Sequence, residues 1–436
     1  MSAACDVLDA HGVRRCSVCV GLSGGLDSVV LLQAMTRLAN SFELDVRAVH
    51  VNHGLQPVAA DWARFCHDLC SNLGVPLTVE KVVVARDSGL GIEAAARAER
   101  YAVFARVKTQ FLALAHHQDD QVETFLLQLL RGAGAKGLSA MPVERSIGDG
   151  GPRLLRPLLT LTRSELADFA AANGLEWIED ASNADLELDR NYLRHSVLPV
   201  IERRFPAYRS TLSRVSRNLA EAAELAEILG QQDLEQARVG EALLVDTLRS
   251  WPAARALNAL RSLVSALDCA VPHRAVLTEA LRQAFEARQD ARVQVDFGES
   301  SLRRYRGALF VVKNVPVPLA WRAVWTGESQ LALPSGLGQL RFRRSTGSGL
   351  SAAALRGNKV SIAFRSGGER MALADKRPHR ELKKHYQEAG VAPWLRERTP
   401  LVYCGRELVF VPGLGAAAEF QARDDEESWE IEWAQA

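Results

Sequence analysis

The stretch Ser23-Gly24-Gly25-Leu26-Asp27-Ser28 separates an apolar run, residues 16–22, from a segment, residues 29–39, in which apolar residues recur at helical spacing. This order predicts a buried strand, a tight turn and the start of a helix. Two glycines let the backbone approach a ligand closely, and the free N–H groups at a helix N-terminus favour phosphate. The carboxylate of Asp27 would repel a bare anion, so we expect Mg²⁺ to bridge it to the phosphates. An ordinary glycine-rich turn is the alternative that these residues leave open.

The pattern Ser-Gly-Gly-X-Asp-Ser has no Gly-Lys-Ser/Thr sequence and is therefore not a Walker-type loop. It resembles the pyrophosphate-binding loop, or PP-loop, of the ATP pyrophosphatases, which cut ATP between its α- and β-phosphates. The resemblance implies that ATP is bound by all six residues of the stretch, namely Ser23, Gly24, Gly25, Leu26, Asp27 and Ser28. It also makes Asp27 the candidate ligand of Mg²⁺.

The composition is that of an ordinary globular protein, with 436 residues, 47% hydrophobic and 24% charged residues, and a formal charge of +1. The length suggests two or three domains, and the near-zero charge means that any basic surface must be local. Seven cysteines in a chain of this length are not typical of a disulfide framework. No apolar run approaches the roughly 20 residues of a membrane span, and no signal-peptide core is visible. We therefore expect a cytoplasmic protein with no membrane association.

The first half of the chain alternates between strand-like and helical patterns, which predicts a doubly wound parallel α/β sheet. The runs are strands at 16–22, 46–51, 77–84 and 111–115, and helices at 61–73, 92–108 and 120–131. Polar stretches follow three of these strands: the glycine-rich turn, residues 50–54 and residues 115–120. Because ligands bind at the carboxyl ends of parallel strands, we expect these stretches to lie together.

The rest of the chain is predicted to add a mainly helical domain and a small α+β domain. The predicted boundaries are 1–215, 216–315 and 316–436. Residues 132–151 are rich in glycine and are interpreted as a mobile connection. A helix at 163–173, a strand at 175–178 and a long helix at 208–236 are expected to follow. In the last domain, short strands are interrupted by one predicted helix at 380–389.

The segment His116-His117-Gln118-Asp119-Asp120-Gln121-Val122-Glu123 is the second candidate site. Asp120 and Glu123 share one helix face, and their carboxylates could bind Mg²⁺ or the ammonium groups of an amine substrate. His116 and His117 could act as acid or base near neutral pH. The alternative is a polar helix start with acidic residues in its first turn.

Two arginine pairs at helical spacing are candidates for phosphate or carboxylate binding. Arg97 and Arg100 form the first pair. Arg190 and Arg194, with Asn191 between them, form the second and could meet an RNA backbone. Solvated helix faces and ordinary capped loops explain the same spacing.

A basic segment near the C-terminus is interrupted by few acidic residues and is predicted to contact RNA. Its members are Lys376, Arg377, His379, Arg380, Lys383, Lys384, His385, Trp394, Arg396 and Arg398. Most charged runs are only solvated surface, which is the alternative here.

Taken together, these motifs resemble those of the bacterial tRNA(Ile)-lysidine synthetases over nearly the whole chain. The motifs are the residue 23–28 loop, His50-Val51-Asn52-His53-Gly54-Leu55, Glu93-Ala94-Ala95-Ala96-Arg97, residues 116–124, Arg131-Gly132-Ala133-Gly134, Trp177-Ile178-Glu179-Asp180, Arg190-Asn191, residues 380–384 and residues 393–396. The middle of the chain, about 225–315, matches only in its helical character.

The resemblance implies an enzyme that converts the wobble cytidine of a CAU-anticodon tRNA(Ile) to lysidine, so that the tRNA reads AUA and is charged with isoleucine. ATP adenylates O2 of the cytosine and releases pyrophosphate, and the ε-amine of free L-lysine then attacks C2 and releases AMP. The implied catalytic residues are Asp27, Arg97, His116, His117 and Asp120. Asp120 and Glu123 would bind the lysine. The implied tRNA-binding residues are Arg190, Asn191, Arg194, Arg380, Lys383, Lys384, Trp394 and Arg396. A homodimer is compatible with this assignment.

Two other functions remain open at this level. A PP-loop enzyme could thiolate tRNA, and Cys16 and Cys19 invite that hypothesis. Residues three apart in a strand face opposite sides, however, so core packing is the preferred interpretation. Cys66 and Cys70 lack the further ligands of a zinc site. A non-catalytic tRNA-binding protein is the other alternative, and the presence of Asp27, Asp120 and Glu123 argues against it.

Overall fold

The computed structural model describes residues 1–54, 58–85, 91–148, 150–180, 183, 185–288, 291–334, 336–374 and 377–435, without the side chain of Glu93. Leu55 and Lys376, which belong to two of the predicted motifs, lie outside these residues. The chain forms two compact units, Met1–Ala226 and Glu227–Ala436. The first unit contains one six-stranded sheet with a hydrophobic core on each face, and the second contains several smaller sheets with cores of their own.

The first unit alternates strands and helices. Its elements are α1 (Ser2–Ala10), β1 (Ser17–Gly21), α2 (Leu26–Phe42), β2 (Asp45–Asn52), α3 (Ala59–Leu73), β3 (Leu77–Lys81), α4 (Ile92–Ala105), β4 (Phe111–Ala113), α5 (Gln118–Leu130), α6 (Ala135–Leu138), β5 (Glu144–Ser146), β6 (Arg153–Leu155), α7 (Arg163–Ala172), α8 (Asp189–Tyr192), a π-helix (Leu193–Val197), α9 (Leu198–Arg204) and α10 (Tyr208–Ala237), which continues into the second unit.

The sheet of the first unit has the strand order β3-β2-β1-β4-β6-β5. β1 pairs in parallel with both β2 and β4, so the chain changes sides of the sheet between β3 and β4. This point of reversal is where open parallel sheets bind ligands. The doubly wound sheet is thus confirmed, and so is the expectation that the ends of β1, β2 and β4 lie side by side.

One edge of this sheet differs from the prediction. β5 pairs antiparallel with β6, and it arises, with α6, from residues 132–151, which we had interpreted as a mobile connection. The three residues of β5 are too few and too polar to show an alternating pattern. Pairing with β6 determines their conformation, as tertiary contacts often do for short strands.

Both faces of the sheet are covered by helices, which explains the continuous apolar run of β1. Val18 and Val20 pack into a core with α2, α3 and α7, whereas Cys19 packs with Phe104 of α4 on the other face. Cys16 contacts the first of these cores. The two cysteines therefore lie on opposite faces of the strand, as predicted.

The predicted strand at 175–178 is wrong. These residues form no strand, and the backbone N–H of Ile178 donates to the carbonyl of Gly24 over 2.9 Å. Their apolar side chains are explained by packing over the glycine-rich turn instead of by sheet pairing, a difference that local sequence cannot reveal.

The second unit contains antiparallel sheets and short helices. Its elements are β7 (Arg238–Val239), β8 (Ala242–Leu244), α11 (Val245–Ser250), α12 (Ala253–Ala266), α13 (Arg274–Glu286), β9 (Gln294–Phe297), β10 (Ser300–Tyr305), β11 (Ala308–Lys313), β12 (Arg322–Trp325), β13 (Gln330–Ala332), β14 (Gln339–Thr346), β15 (Leu350–Ser351), β16 (Val360–Ala363), β17 (Arg370–Met371), β18 (Arg380–Glu381), α14 (Leu382–Glu388), α15 (Pro393–Arg398), β19 (Leu401–Cys404), β20 (Glu407–Val411), β21 (Gly415–Ala416), a 3-10 helix (Ala418–Phe420) and β22 (Glu427–Ala434).

In this unit α11, α12 and α13 pack on the sheet β7-β8-β11-β10-β9, and two further sheets enclose a third core. The expected mainly helical part therefore also contains a five-stranded sheet. The single helix predicted at 380–389 is a short strand followed by α14, and α15 was not predicted. α15 begins at Pro393, a residue that favours the first turn of a helix.

Candidate active site

The glycine-rich turn lies between β1 and α2, as predicted, and Gly25 is the N-cap of α2. The buried hydroxyl of Ser28 accepts hydrogen bonds from the backbone N–H groups of Ser23 and Gly24, each over 3.2 Å, and donates to the carbonyl of Gly25 over 3.0 Å. Ser28 therefore holds the turn in shape, and its predicted contact with phosphate stays a prediction. The helix N-terminus itself gives the turn its attraction for anions.

Position 24 has no room for a side chain. Its φ is +90°, and a Cβ atom there would lie 2.8 Å from Cδ1 of Ile178 and 3.3 Å from Sγ of Cys66. We expect Gly24→Ala to lower the free energy of unfolding by about 1–3 kcal/mol, because it combines a left-handed backbone penalty with a clash. It should also weaken ATP binding, since the turn must shift. Urea unfolding and an ATP titration measure the two effects.

The matched control is Gly74→Ala, because Gly74 also has a positive φ, +66°, but has open space around its Cβ position. This control carries only the backbone penalty. If Gly24→Ala and Gly74→Ala unfold at the same urea concentration and bind ATP equally well, the close contact with Ile178 has no energetic importance.

Asp27 lies in the first turn of α2, and its side chain is 33% exposed. One carboxylate oxygen, Oδ2, is 3.6 Å from Nε2 of His117. The other, Oδ1, is buried and has no hydrogen-bond partner among the described residues. A buried carboxylate oxygen without a partner is costly, so this atom is suited to a ligand that brings a positive charge.

His117 lies at the centre of the site, and its side chain is 1% exposed. It is surrounded by the carboxylates of Asp27, Asp119 and Asp120 at 3.6, 3.7 and 3.5 Å. Burial alone would lower its pKa, but the hydrogen bond to Asp27 and the other two carboxylates raise it above the usual value. The backbone N–H of His117 also donates to Asp120 over 3.1 Å, which caps α5.

His116 has a different environment. Nε of Arg156 donates to its Nδ1 over 3.2 Å, so the proton of the neutral ring is assigned to Nε2. Burial lowers the pKa of His116, and Arg156, Arg190 and Arg97 lower it further, while Asp120 opposes them. His116 is therefore neutral and presents a hydrogen-bond donor. Its predicted role as an acid or base stays a prediction.

The carboxylates of Asp120 and Glu123 share a face of α5, as predicted. Glu123 is fully buried, and Arg194 donates to its two oxygens over 2.7 and 3.0 Å. Nε of Arg190 is 3.4 Å from the same carboxylate, and Nη2 of Arg194 is 3.5 Å from Oδ1 of Asp120. The carboxylates that we had predicted to bind lysine and the arginines that we had predicted to bind tRNA thus contact each other in one cluster.

The pKa values in this cluster diverge. Burial raises the pKa of Glu123 above its usual range in spite of the bond from Arg194. Burial would do the same to Asp120, but His117, His116 and Arg190 outweigh it and the pKa is lowered. The lowered pKa favours the negatively charged form of Asp120. Both oxygens of Glu123 already accept hydrogen bonds from Arg194.

Sequence analysis missed two arginines that support this site. Arg156, 2% exposed, donates to His116, and Arg209 donates to Asp119 over 2.5 Å, as does the backbone N–H of Arg163 over 2.9 Å. The position of Arg156 directly after the apolar residues of β6 was a usable signal, because charged groups at strand ends often face the ligand. Arg209, 90 residues from Asp119, carried no such signal.

The remaining predicted residues of the first unit lie around the site. Arg97 is exposed on α4 with its guanidinium over Tyr101, and it is close enough to lower the pKa of His116. Asn191 is buried and donates to the carbonyl of Asp185 over 2.9 Å. Arg97 is thus available to an anionic ligand, whereas Asn191 supports the local fold.

The predicted RNA-contact residues of the second unit separate into two groups. Lys383 and Lys384 are exposed on α14, and Arg380 is paired with Glu388 over 2.8 Å. Trp394 and Arg396 are only 7% and 9% exposed, which argues against the predicted contact with tRNA. Trp394 packs against Tyr305 and Phe310, and Arg396 donates to the carbonyl of Val391.

No helix in the described part of the chain is long and apolar enough to cross a bilayer. No group of three or more His, Cys, Asp or Glu side chains there has the arrangement of a metal site.

Comparison with known proteins gives three family matches. A PP-loop domain matches residues 6–201, a TilS substrate binding domain matches residues 243–310, and a TilS substrate C-terminal domain matches residues 360–433. Among solved structures, the U34-tRNA thiolase NcsA from Methanococcus maripaludis has a TM-score of 0.45 and 17% identity, covering 50% of this chain and 77% of that chain. A likeness this weak supports no conclusion.

Full-length relatives are closer. The tRNA(Ile)-lysidine synthase of Nitrosomonas europaea is 42% identical over 95% of this chain and 91% of its own length. That of Azoarcus sp. is 41% identical over 99% of this chain and 95% of its own length. Since these relatives are more than 40% identical over 95% or more of this chain, the chain belongs to the tRNA(Ile)-lysidine synthase family.

Proposed function

We propose that this protein is an ATP-dependent ligase that joins free L-lysine to C2 of the wobble cytidine of CAU-anticodon tRNA(Ile). The observation that carries the proposal is the convergence of Asp27, His117 and Asp120 at the end of β1, where a buried oxygen of Asp27 has no hydrogen-bond partner within the part of the chain that the structure describes. The family supports the use of ATP and of tRNA. The product would be a tRNA that reads AUA and is charged with isoleucine.

In the first step the cytosine O2 attacks the α-phosphorus of ATP, the bond to the bridging oxygen breaks, and pyrophosphate leaves. The N-terminus of α2 and the turn at residues 23–28 would stabilise the charge that develops on pyrophosphate. Asp27, with its unpartnered Oδ1, is the residue that would hold Mg²⁺. When bound, the ion would neutralise phosphate charge. Arg97, exposed beside the site, would bind the α-phosphate.

In the second step the ε-amine of lysine attacks C2, the C–O bond to the adenylate breaks, and AMP leaves. The amine must first lose a proton, because its ammonium form has no lone pair, and His117, which three carboxylates surround, would accept that proton. We assign the lysine ammonium to Asp120, which keeps its charge and is not fully enclosed by arginine. Glu123 would then act through Arg194, which it orients.

The deciding experiment is incubation of the protein with ATP, labelled lysine and tRNA. Lysine incorporation that depends on ATP, with equal amounts of AMP and pyrophosphate, is the expected result. Incorporation of sulfur from a sulfur donor would instead indicate a thiolation enzyme, and incorporation of neither would indicate a binding protein. The cysteines make thiolation a poor fit, because burial raises the pKa values of Cys19 and Cys66 to about 12 and their thiolates are disfavoured.

Asp120→Asn should raise the KM for lysine by about tenfold to a hundredfold, since a charged hydrogen bond contributes about 1.5–3 kcal/mol. Adenylation should be affected much less. Steady-state kinetics with lysine as the varied substrate, and a separate assay of pyrophosphate release without lysine, measure the two steps. Asp168→Asn, at an exposed position on α7, is the control. An unchanged KM and turnover for Asp120→Asn would remove Asp120 from the lysine site.

The same proposal assigns the parts of the chain. Residues 1–215 would be the catalytic domain, 216–315 a middle domain with the linker helix, and 316–436 a tRNA-binding domain. The exposed Lys383 and Lys384 support RNA binding by the last of these. Use of tRNA as a substrate supports a location in the cytoplasm.

A further inference from the structure

The second unit contains a cleft of about 750 Å³ that the residues discussed so far do not explain. It lies where β10 and the segment after β11 meet the end of α15 and the residues that follow β16. Its volume is within the usual range for ligand sites, about 300–1,000 Å³. Three guanidinium groups line it, those of Arg303, Arg365 and Arg398.

Arg303 is held in a fixed position by uncharged hydrogen-bond acceptors. Its Nε donates to the hydroxyl of Ser301 over 2.8 Å, its Nη2 donates to Oδ1 of Asn314 over 3.1 Å, and its guanidinium lies 5.8 Å from the ring of Trp394. Within the described residues it has no carboxylate at ion-pair distance. Its other N–H groups are therefore available to a ligand.

Arg398 is likewise held by an uncharged hydrogen-bond acceptor. Its Nη2 donates to the carbonyl of Lys313 over 2.5 Å, and in the described part of the chain it too lacks an ion-pair partner. Burial lowers its pKa and the charge of Arg303 lowers it further, while the carboxylate of Glu397 opposes them and the pKa stays below its usual value. Two like charges that approach each other in a half-buried cleft repel, and an anion between them would relieve that repulsion.

The other charges of the cleft do not cancel this pair. Arg365 is bound to Glu369 over 3.1 Å and contributes little net charge. Asp296 and Glu397 also line the cleft, but both are exposed, and Asp296 accepts a hydrogen bond from Gln294 over 2.9 Å. Exposed carboxylates are strongly screened by water and salt, whereas the half-buried guanidinium groups are screened less.

We propose that this cleft binds a phosphate group of the tRNA backbone through Arg303 and Arg398. The inference rests on the proposed function, which supplies tRNA as the polyanion. Arginine forks match the oxygens of a phosphate, and the cleft is much larger than a single inorganic phosphate requires. Arg398 belonged to the predicted basic segment, but Arg303, 95 residues earlier in the sequence, is visible only in the fold.

The test compares the salt dependence of tRNA binding by full-length variants. In Arg303→Gln/Arg398→Gln, the slope of log K against log salt concentration should become shallower by about 2, one for each lost phosphate contact. The control Arg249→Gln/Arg282→Gln removes the same charge from arginines that are paired with their own carboxylates, and its slope should not change. An unchanged slope in the first variant overturns the inference.

A second variant guards against misfolding. Arg303→Lys/Arg398→Lys keeps both charges and loses both forks, so it should keep the wild-type slope and bind tRNA several-fold more weakly. Wild-type affinity in this variant would contradict the role of the guanidinium groups.

Two further measurements separate the sources of phosphate and the two hypotheses. Labelled pyrophosphate should bind to the wild type and to Arg303→Gln/Arg398→Gln with the same stoichiometry. Loss of one bound pyrophosphate in the variant, with an unchanged tRNA slope, would make the cleft a site for free phosphate and overturn the RNA assignment. Absence of lysine incorporation by the wild type counts against the proposed function, whereas incorporation with an unchanged slope counts against the cleft alone.

Discussion

Asp27→Asn is expected to slow ATP- and tRNA-dependent pyrophosphate release by a factor of about 10²–10³, the usual cost of removing one group that stabilises developing charge. The amide keeps the shape of the side chain but removes the negative charge. Its buried oxygen would still lack a partner, and it would hold a divalent cation far less well. The loss should appear in the rate of the first step and not in the affinity for tRNA.

Single-turnover measurement of pyrophosphate release tests this expectation. Asp45→Asn is a suitable control, because Asp45 begins β2 at the end of the sheet opposite to the site and is paired with Arg47 over 2.8 Å. Increasing the Mg²⁺ concentration should partly restore the rate of Asp27→Asn and should not affect the control. Pyrophosphate release at the wild-type rate in Asp27→Asn would remove the assignment of this residue.

Arg194→Met is expected to lower the free energy of unfolding by about 3 kcal/mol, because it leaves the carboxylate of Glu123 buried with an incomplete set of partners. Arg194 makes two short bonds to this fully buried group, and among the described residues only Arg190, at 3.4 Å, would remain as a cation beside it. Methionine fills similar volume, so the loss reports the uncompensated charge and not a cavity. Urea unfolding at neutral pH measures it.

The pH dependence of the same variant can be derived. The pKa of Glu123 is already raised by burial, and loss of Arg194 should raise it further. A carboxyl group whose pKa is higher in the folded state favours folding below its unfolded pKa, and this contribution disappears as pH rises through the folded pKa. Arg194→Met should therefore be closest to wild-type stability near pH 4.5 and should lose stability progressively above it.

Glu123→Gln provides the matched test. Adding it to Arg194→Met removes the uncompensated charge, so the double variant should be more stable than Arg194→Met alone, and its difference from the wild type should no longer depend on pH in this range. If Glu123→Gln gives no recovery, the pair with Arg194 does not account for the loss of stability.

The sequence predicted those parts of the site that depend on local pattern and on strand order. The turn at residues 23–28 and the polar ends of β2 and β4 could be placed together, because parallel strands end at one edge of the sheet. The partners of these residues could not be predicted. Arg156 and Arg209 reach His116 and Asp119 across 40 and 90 residues of sequence. Pairing over such distances leaves no periodic pattern.

The basic C-terminal segment shows the opposite error. Trp394 and Arg396 have the composition of an RNA-binding surface, and local sequence gives no indication that Tyr305 and Phe310 cover the indole ring. Exposure is a property of the packed unit. Lys383 and Lys384 occupy the same segment and are exposed, so only a three-dimensional structure separates the two pairs.

The three hydrogen bonds between the Ser28 hydroxyl and the backbone have a thermodynamic consequence. They connect Ser23, Gly24 and Gly25 before any nucleotide arrives, so the turn has little conformational freedom left to lose on binding. Nucleotide capture should therefore carry only a small ordering penalty and need not wait for the RNA. The turn at residues 23–28 therefore does not determine whether ATP or tRNA binds first.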